Sequence, residues 1–195
     1  MKWLLAQGVP PPRAPRAKKS ENLDIDDVDA GTSPHAFLLA VRSNRLEMCQ
    51  YLVAEHGFNL HEIDNDGFSM LYEAVRGDGS VPLMEWLFES GVSIHAPASN
   101  GTTPFHKACA DGLLPVAKWL HKHGVSVLTQ SARGTSALFF ASAYGHLPLV
   151  KWLIAHGANP FDRNGRLALP AASDNNQTAV CNFLRSIRQE DNLTS

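Results

Sequence analysis

The chain repeats itself, and that constrains its fold more than any single motif. A small residue recurs as Ala40, Ala74, Ala108, Ala141 and Ala172, at steps of 34, 34, 33 and 31 residues. A glycine recurs as Gly57, Gly91, Gly124 and Gly157, at steps of 34, 33 and 33. An aromatic keeps the same phase as Tyr51, Trp86, Trp119, Trp152 and Phe183, and a second glycine series runs Gly67, Gly101, Gly134 and Gly165. Insertions of one residue near Glu55 and near Gly77–Ser80 account for the unequal steps. A period of this length describes one supersecondary unit that cannot bury its apolar face alone and must stack on its neighbours.

The clearest copy is Gly101 to Val125, GTTPFHKACADGLLPVAKWLHKHGV. Thr103 is suited to cap a helix, and Pro104 falls at the first helical position, where its missing N–H costs nothing. Phe105, Ala108 and Cys109 then recur at helical spacing up to Gly112. A second helix opens near Pro115, with Val116, Trp119 and Leu120 as its apolar stripe, and Gly124 is placed to close it in a left-handed cap.

A period near 33, two helices per copy and a start like Thr103-Pro104-Phe105-His106-Lys107-Ala108 resemble the ankyrin repeat. Ser69-Met70-Leu71-Tyr72-Glu73-Ala74 and Ser136-Ala137-Leu138-Phe139-Phe140-Ala141 are degraded versions of the same start, and Gly145-His146-Leu147 with Val150, Leu153, Gly157, Ala158 and Asn159 looks like the second half. The resemblance implies an all-α solenoid of stacked helix-turn-helix pairs with hairpin-like tips. Five copies are expected, at about 32–63, 64–97, 98–130, 131–161 and 162–188, followed by a polar tail at 189–195. Residues 1–9, MKWLLAQGV, match KWLHKHGV and KWLIAHGA further on, so the chain opens on a partial repeat helix. The proline-rich, charge-balanced stretch 10–31 is expected to be an exposed linker.

The outer copies depart from the pattern. Copy one has Ser33 at the turn glycine and His35 at the cap threonine; copy five has Leu167 at the cap, Pro170 at the histidine and Asn176 at the inter-helix glycine. Terminal repeats meet water on one face, and Asp174, Asn175, Asn176 and Gln177 suit that place. Copy one keeps Phe37, Leu38 and Leu39, so its open side is expected to lie under the helix at 1–9. In the copies between, Leu52, Leu87, Leu120, Leu153 and Leu184 share one core position and Leu71, Phe105, Leu138 and Leu169 another. The recurring aromatic is expected in the core, as are Cys49 and Cys181.

Little in the chain points to chemistry. The 195 residues are 44% hydrophobic, with a formal net charge of −2 that gives no electrostatic case for nucleic acid or an anionic membrane. Three scattered cysteines fit reduced core thiols in a cytoplasmic protein, with nuclear entry left open by the basic cluster at Arg13–Lys19. No apolar run is long enough to span a membrane. His56, His123 and His156 all precede a closing glycine, where a helix C-terminus favours an imidazole, so their repetition indicates structure. His106 and His146 hold family positions that stitch neighbouring turns. His121 and His123 are two apart on a helix and point to different faces, short of a four-ligand metal site. With no triad, paired-carboxylate motif or phosphate loop, the expectation is no catalytic residue, no cofactor and no metal.

The resemblance places partner binding on a concave strip of turn tips and first-helix ends. On this chain it maps to Asp66, Phe68 and Arg76 in copy two, Asn100, Thr102 and Asp111 in copy three, Arg133, Thr135 and Tyr144 in copy four, and Arg163 and Arg166 in copy five. Phe68 and Tyr144 are aromatics expected to face solvent. The tips run from acidic (Glu62, Asp64, Asp66) to basic (Arg133, Arg163, Arg166), which fits a partner segment of opposite polarity. A monomeric scaffold or adaptor that binds another protein is the favoured expectation. A targeting or regulatory fragment of a larger enzyme or receptor is the alternative.

Overall fold

Capping chemistry sets where the helices start. The computed structural model describes residues 34–64, 67–77, 79–161 and 168–193. Five first helices form: α1 (Pro34–Arg42), α3 (Met70–Arg76), α5 (Pro104–Ala110), α7 (Ala137–Ala143) and α9 (Ala168–Asp174). Each leads into a second helix: α2 (Leu46–His56), α4 (Val81–Glu89), α6 (Leu114–Lys122), α8 (Leu147–Ala155) and α10 (Thr178–Leu193). The Ser69 hydroxyl accepts the Tyr72 N–H at 3.2 Å, and Ser136 accepts that of Phe139 at 3.2 Å, satisfying donors that a helix start leaves open. Helices α4, α6 and α8 each carry a proline in their first turn.

The turn between the two helices needs a residue in the left-handed region, four places after the small marker. Gly112 (φ 72°) and Gly145 (φ 79°) supply it in copies three and four, and asparagine does so at the ends, as Asn44 (φ 55°) and Asn176 (φ 58°). Asparagine tolerates this conformation better than other side chains. In copy two the one-residue insertion moves the role to Gly79 (φ 63°). Gly112 is required twice over, because a Cβ there would collide with the His146 ring.

The fold is an all-α stack. The only bridges among the described residues are isolated ones in the tips, Ile63 with Ser69 and Gln130 with Ser136. First helices pack in series, α1 on α3, α3 on α5, α5 on α7 and α7 on α9, whereas each second helix packs chiefly on its own first helix. The core follows this layering. Leu52, Leu87, Leu120, Leu153 and Leu184 are all buried, as are Phe37, Leu71, Phe105 and Leu138, while Leu169 in the last copy is half-buried. Each such burial is worth roughly 1.5–3 kcal/mol, most of it realised only against a neighbour. Cys49, Cys109 and Cys181 are free and buried. Burial pushes the Cys49 thiol up to about 11 and raises that of Cys109 further, so both are unreactive hydrophobes.

Three expectations change. Helix α1 begins at Pro34, so His35 lies in its first turn and is not its cap. Helix α10 continues to Leu193, so most of the expected polar tail is helical backbone. The recurring aromatic is not uniformly core: Trp119 is buried at 7% exposure, but Trp86, Trp152 and Phe183 are half-buried and Tyr51 is exposed. The cause is the looser packing of second helices, which leaves the outer edge of each ring in solvent. The partial helix at 1–9, the linker at 10–31 and the cover proposed for copy one lie outside the described residues; Leu39, Met48 and Tyr51 of copy one are each about half exposed.

One core position is imperfect. Ser142 is fully buried and its hydroxyl has no hydrogen-bond partner, whereas the equivalent residues Val41, Val75 and Cys109 are apolar and equally buried. A buried unsatisfied hydroxyl costs about 1–3 kcal/mol. Ser142→Cys, which copies the residue of copy three, is expected to raise stability by about 1 kcal/mol in urea unfolding; an unchanged or lower midpoint would show that the hydroxyl is satisfied.

Candidate partner-binding surface

Four of the histidines, His106, His121, His146 and His156, are held by hydrogen bonds that fix their tautomers. His106 Nε2 donates to the Thr129 carbonyl at 3.1 Å, so Nδ1 must accept, and it takes the Thr103 backbone N–H at 3.1 Å and the Thr103 hydroxyl at 2.9 Å. One ring thus closes the cap of α5 and ties copy three to the tip leading into copy four. His146 Nε2 donates to the Ala110 carbonyl at 2.8 Å, linking copy four back to the end of α5. His121 and His156 each donate Nδ1–H to a carbonyl within their own copy, Val125 at 2.9 Å and Trp152 at 2.8 Å. His123 lies over Trp119 and against Phe88. Among the described residues no group of three or more metal-ligating side chains converges.

The strip residues then fall into three groups. Asp66, Arg163 and Arg166 lie outside the described residues. Phe68 and Arg76 of copy two and Asn100 and Thr102 of copy three are joined into one cluster, from which Asp111 stands apart. The Phe68 ring stacks on Tyr72 at 4.3 Å and 21°, and the Arg76 guanidinium lies over the Phe68 ring at 5.8 Å. Phe68 is therefore half-buried, which corrects the expectation of a solvent-facing ring. The Tyr72 hydroxyl reaches Thr102 Oγ1 at 3.4 Å, and Thr102 donates through its N–H (2.9 Å) and hydroxyl (2.6 Å) to Asn100 Oδ1. Asn100 and Thr102 thus shape the tip as an Asx turn before they can meet a partner. Asp111 is exposed and paired with Lys107 at 2.8 Å.

Copy four supplies the third group. Arg133 is exposed at its tip, and Tyr144, which ends α7, is 60% exposed. Thr135 is corrected: at 6% exposure it is a buried tip residue, its N–H donating to Ser131 Oγ at 3.2 Å, with no side-chain surface to offer.

The anchor of the copy-two cluster escaped the sequence reading. Glu73 is completely buried, with Arg42 of copy one on one carboxylate oxygen and Arg76 on the other at 3.4 Å. Arg42 also lies 3.8 Å from Asp64, which accepts the Phe68 N–H at 2.8 Å. A buried carboxylate persists only when paired. The signal available in sequence was a lone acid inside the apolar run Met70–Val75, at a repeat position that holds Lys107 and Phe140 in later copies. Its partner 31 residues back was not visible without the stacking.

The comparisons agree with this architecture. A family model described as ankyrin repeats (3 copies) matches residues 1–98, 37–131, 71–164 and 105–194. Three of these matches open at Phe37, Leu71 and Phe105, the same position of successive copies. Among curated proteins, none matches the chain.

Burial holds the His106 imidazole below its ordinary value of 6.5, against the smaller opposing effect of its bond to Thr129. The unfolded chain then binds the proton more readily, so the stabilisation is complete above about pH 6.5 and is lost as pH falls through the window below it. His106→Gln keeps an acceptor for the Thr103 N–H without a titrating ring. Its stability is expected to fall less steeply than that of the natural protein between neutral pH and pH 5 in parallel urea titrations; equal slopes would remove His106 as the source.

Proposed function

Because the chain belongs to the ankyrin-repeat family, whose repeats mediate protein–protein interaction, we propose that it is a non-catalytic binding module. It holds a partner protein along the turn tips and first-helix ends of copies two to five. The supporting observation is Tyr144. This aromatic is 60% exposed at the end of a first helix, where the equivalent Asp111 of copy three is held by Lys107. Exposed aromatics beside arginine are favoured binding anchors, and Arg133 stands exposed on the tip of the same copy.

The polarity of the partner follows from which charges are already engaged. Asp64 is tied to the Phe68 N–H and lies beside Arg42, so among the described residues the acidic end of the strip rests on the exposed Glu62. The basic end carries more of the selectivity, and the partner segment is acidic where it crosses copies four and five. The cluster of Phe68, Tyr72, Arg76 and Glu73 forms a rigid shoulder that the rest of the segment passes.

Partners captured from a lysate by the immobilised chain, and identified by mass spectrometry, provide the test. Arg133→Glu with Arg163→Glu is expected to abolish their capture, and Tyr144→Ala to weaken it at least tenfold, about 1.4 kcal/mol. Equal capture by the charge-reversed and natural proteins would exclude this surface.

A further inference from the structure

The second helices carry a charge pattern that the strip of tips and first-helix ends does not use. In α4 two positions beside Trp86 are Glu85 and Glu89; in α6 the equivalent positions beside Trp119 are Lys118 and Lys122. Helix α2 adds Glu47 and Glu55 and has no lysine or arginine, whereas α8 adds Lys151 and has no acid. Glu47, Glu55, Glu89, Lys118, Lys122 and Lys151 are all exposed. Among the described residues, no ion pair engages Glu47, Glu55, Glu89, Lys118, Lys122 or Lys151, although Lys151 lies over the Phe183 ring at 5.2 Å; Glu85 is already engaged within the chain, by His123 at 3.8 Å and by the Trp119 indole N–H. Between the charges run the incompletely covered rings of Tyr51, Trp86 and Trp152. A face that only needs solvation has no reason to sort its charges by sign, repeat by repeat.

We propose that this second-helix face pairs with the same face of a second copy of the chain, antiparallel, about a two-fold axis at the junction of copies two and three. In that register copy two lies opposite copy three, and copy one opposite copy four. Glu89 then meets Lys118 and Lys122, and Glu47 and Glu55 meet Lys151, each set once on each side of the axis. Each of these facing sets is opposite in sign, as a self-complementary patch requires, and Arg185 and Arg188 of α10 fall outside the paired copies. A parallel pairing would set each copy against itself, like charge on like. An antiparallel pairing centred on copy three would set Lys118 and Lys122 against their own counterparts. The chosen register also brings the half-buried Trp86 of each copy near the axis with charges outside it, the apolar-centre and polar-rim arrangement of subunit interfaces. Tips and first-helix ends stay open, so the dimer presents two binding strips.

The test is molar mass by light scattering coupled to size exclusion, on the full chain. At low salt the mass is expected near twice 21.3 kDa, falling toward the single-chain value at high salt. Two charge-reversed variants separate the register from general adhesion: Glu55→Lys with Glu89→Lys, and Lys118→Glu with Lys122→Glu. Each alone is expected to run as a monomer, and a one-to-one mixture to regain the dimer mass. Circular dichroism of each variant checks its fold. A natural protein that stays at the single-chain mass up to high micromolar concentration at low salt overturns the proposal. So do reversed variants that keep the dimer mass, and so does a mixture of two folded variants that stays monomeric.

Discussion

Everything in this molecule depends on first helices closing one another's apolar faces. A helix of seven residues such as α5 is too short to persist alone in water. It exists because Phe105, Ala108 and Cys109 are sealed against α3 on one side and α7 on the other, leaving all three buried. The hydrogen bonds serve the same junctions. His106 joins the start of α5 to the Thr129 carbonyl, and His146 joins the next copy to the end of α5. Each repeat is completed by its neighbour, so the position of every exposed side chain is set by stacking.

The candidate binding surface inherits this rigidity. Glu73 illustrates how. Its carboxylate is buried at the junction of copies one and two, held by Arg42 across the junction and by Arg76 on its own helix. Arg76 in turn lies over Phe68, and Phe68 stacks on Tyr72, whose hydroxyl meets Thr102 of the next copy. A chain of contacts therefore runs from copy one to copy three without leaving the rim. Where it ends, copy four offers Arg133 and Tyr144 with no such bracing, and there the surface has side chains available to a partner.

The sequence disclosed the periodic part of the structure and concealed the pairwise part. Capping residues, the left-handed turns and the leucine ladder all repeat, so a shift of about 33 residues exposed them; even Asn176 was legible as a substitute for glycine. The aromatic ladder misled, because repetition fixes a position without saying how deep it lies. Trp119 and Trp152 are equivalent in sequence, yet only Trp119 is buried: the preceding copy sets Phe88 against its ring and Glu85 on its indole N–H, where Trp152 meets His121. On the strip, Tyr144 was legible as an aromatic in a polar register. Thr135 was not legible as buried, and Glu73 was not legible at all, because both depend on what the adjoining copy or tip places against them.

Native-state amide hydrogen exchange tests the nearest-neighbour account most directly. The stack requires protection to be greatest in α5 and α6 of the central copy, which are sealed on both sides, and to fall toward α1, α2 and α10. That gradient is the expected result. Uniform protection across the five copies, or a maximum in a terminal one, would contradict the claim that each repeat is held by its neighbours.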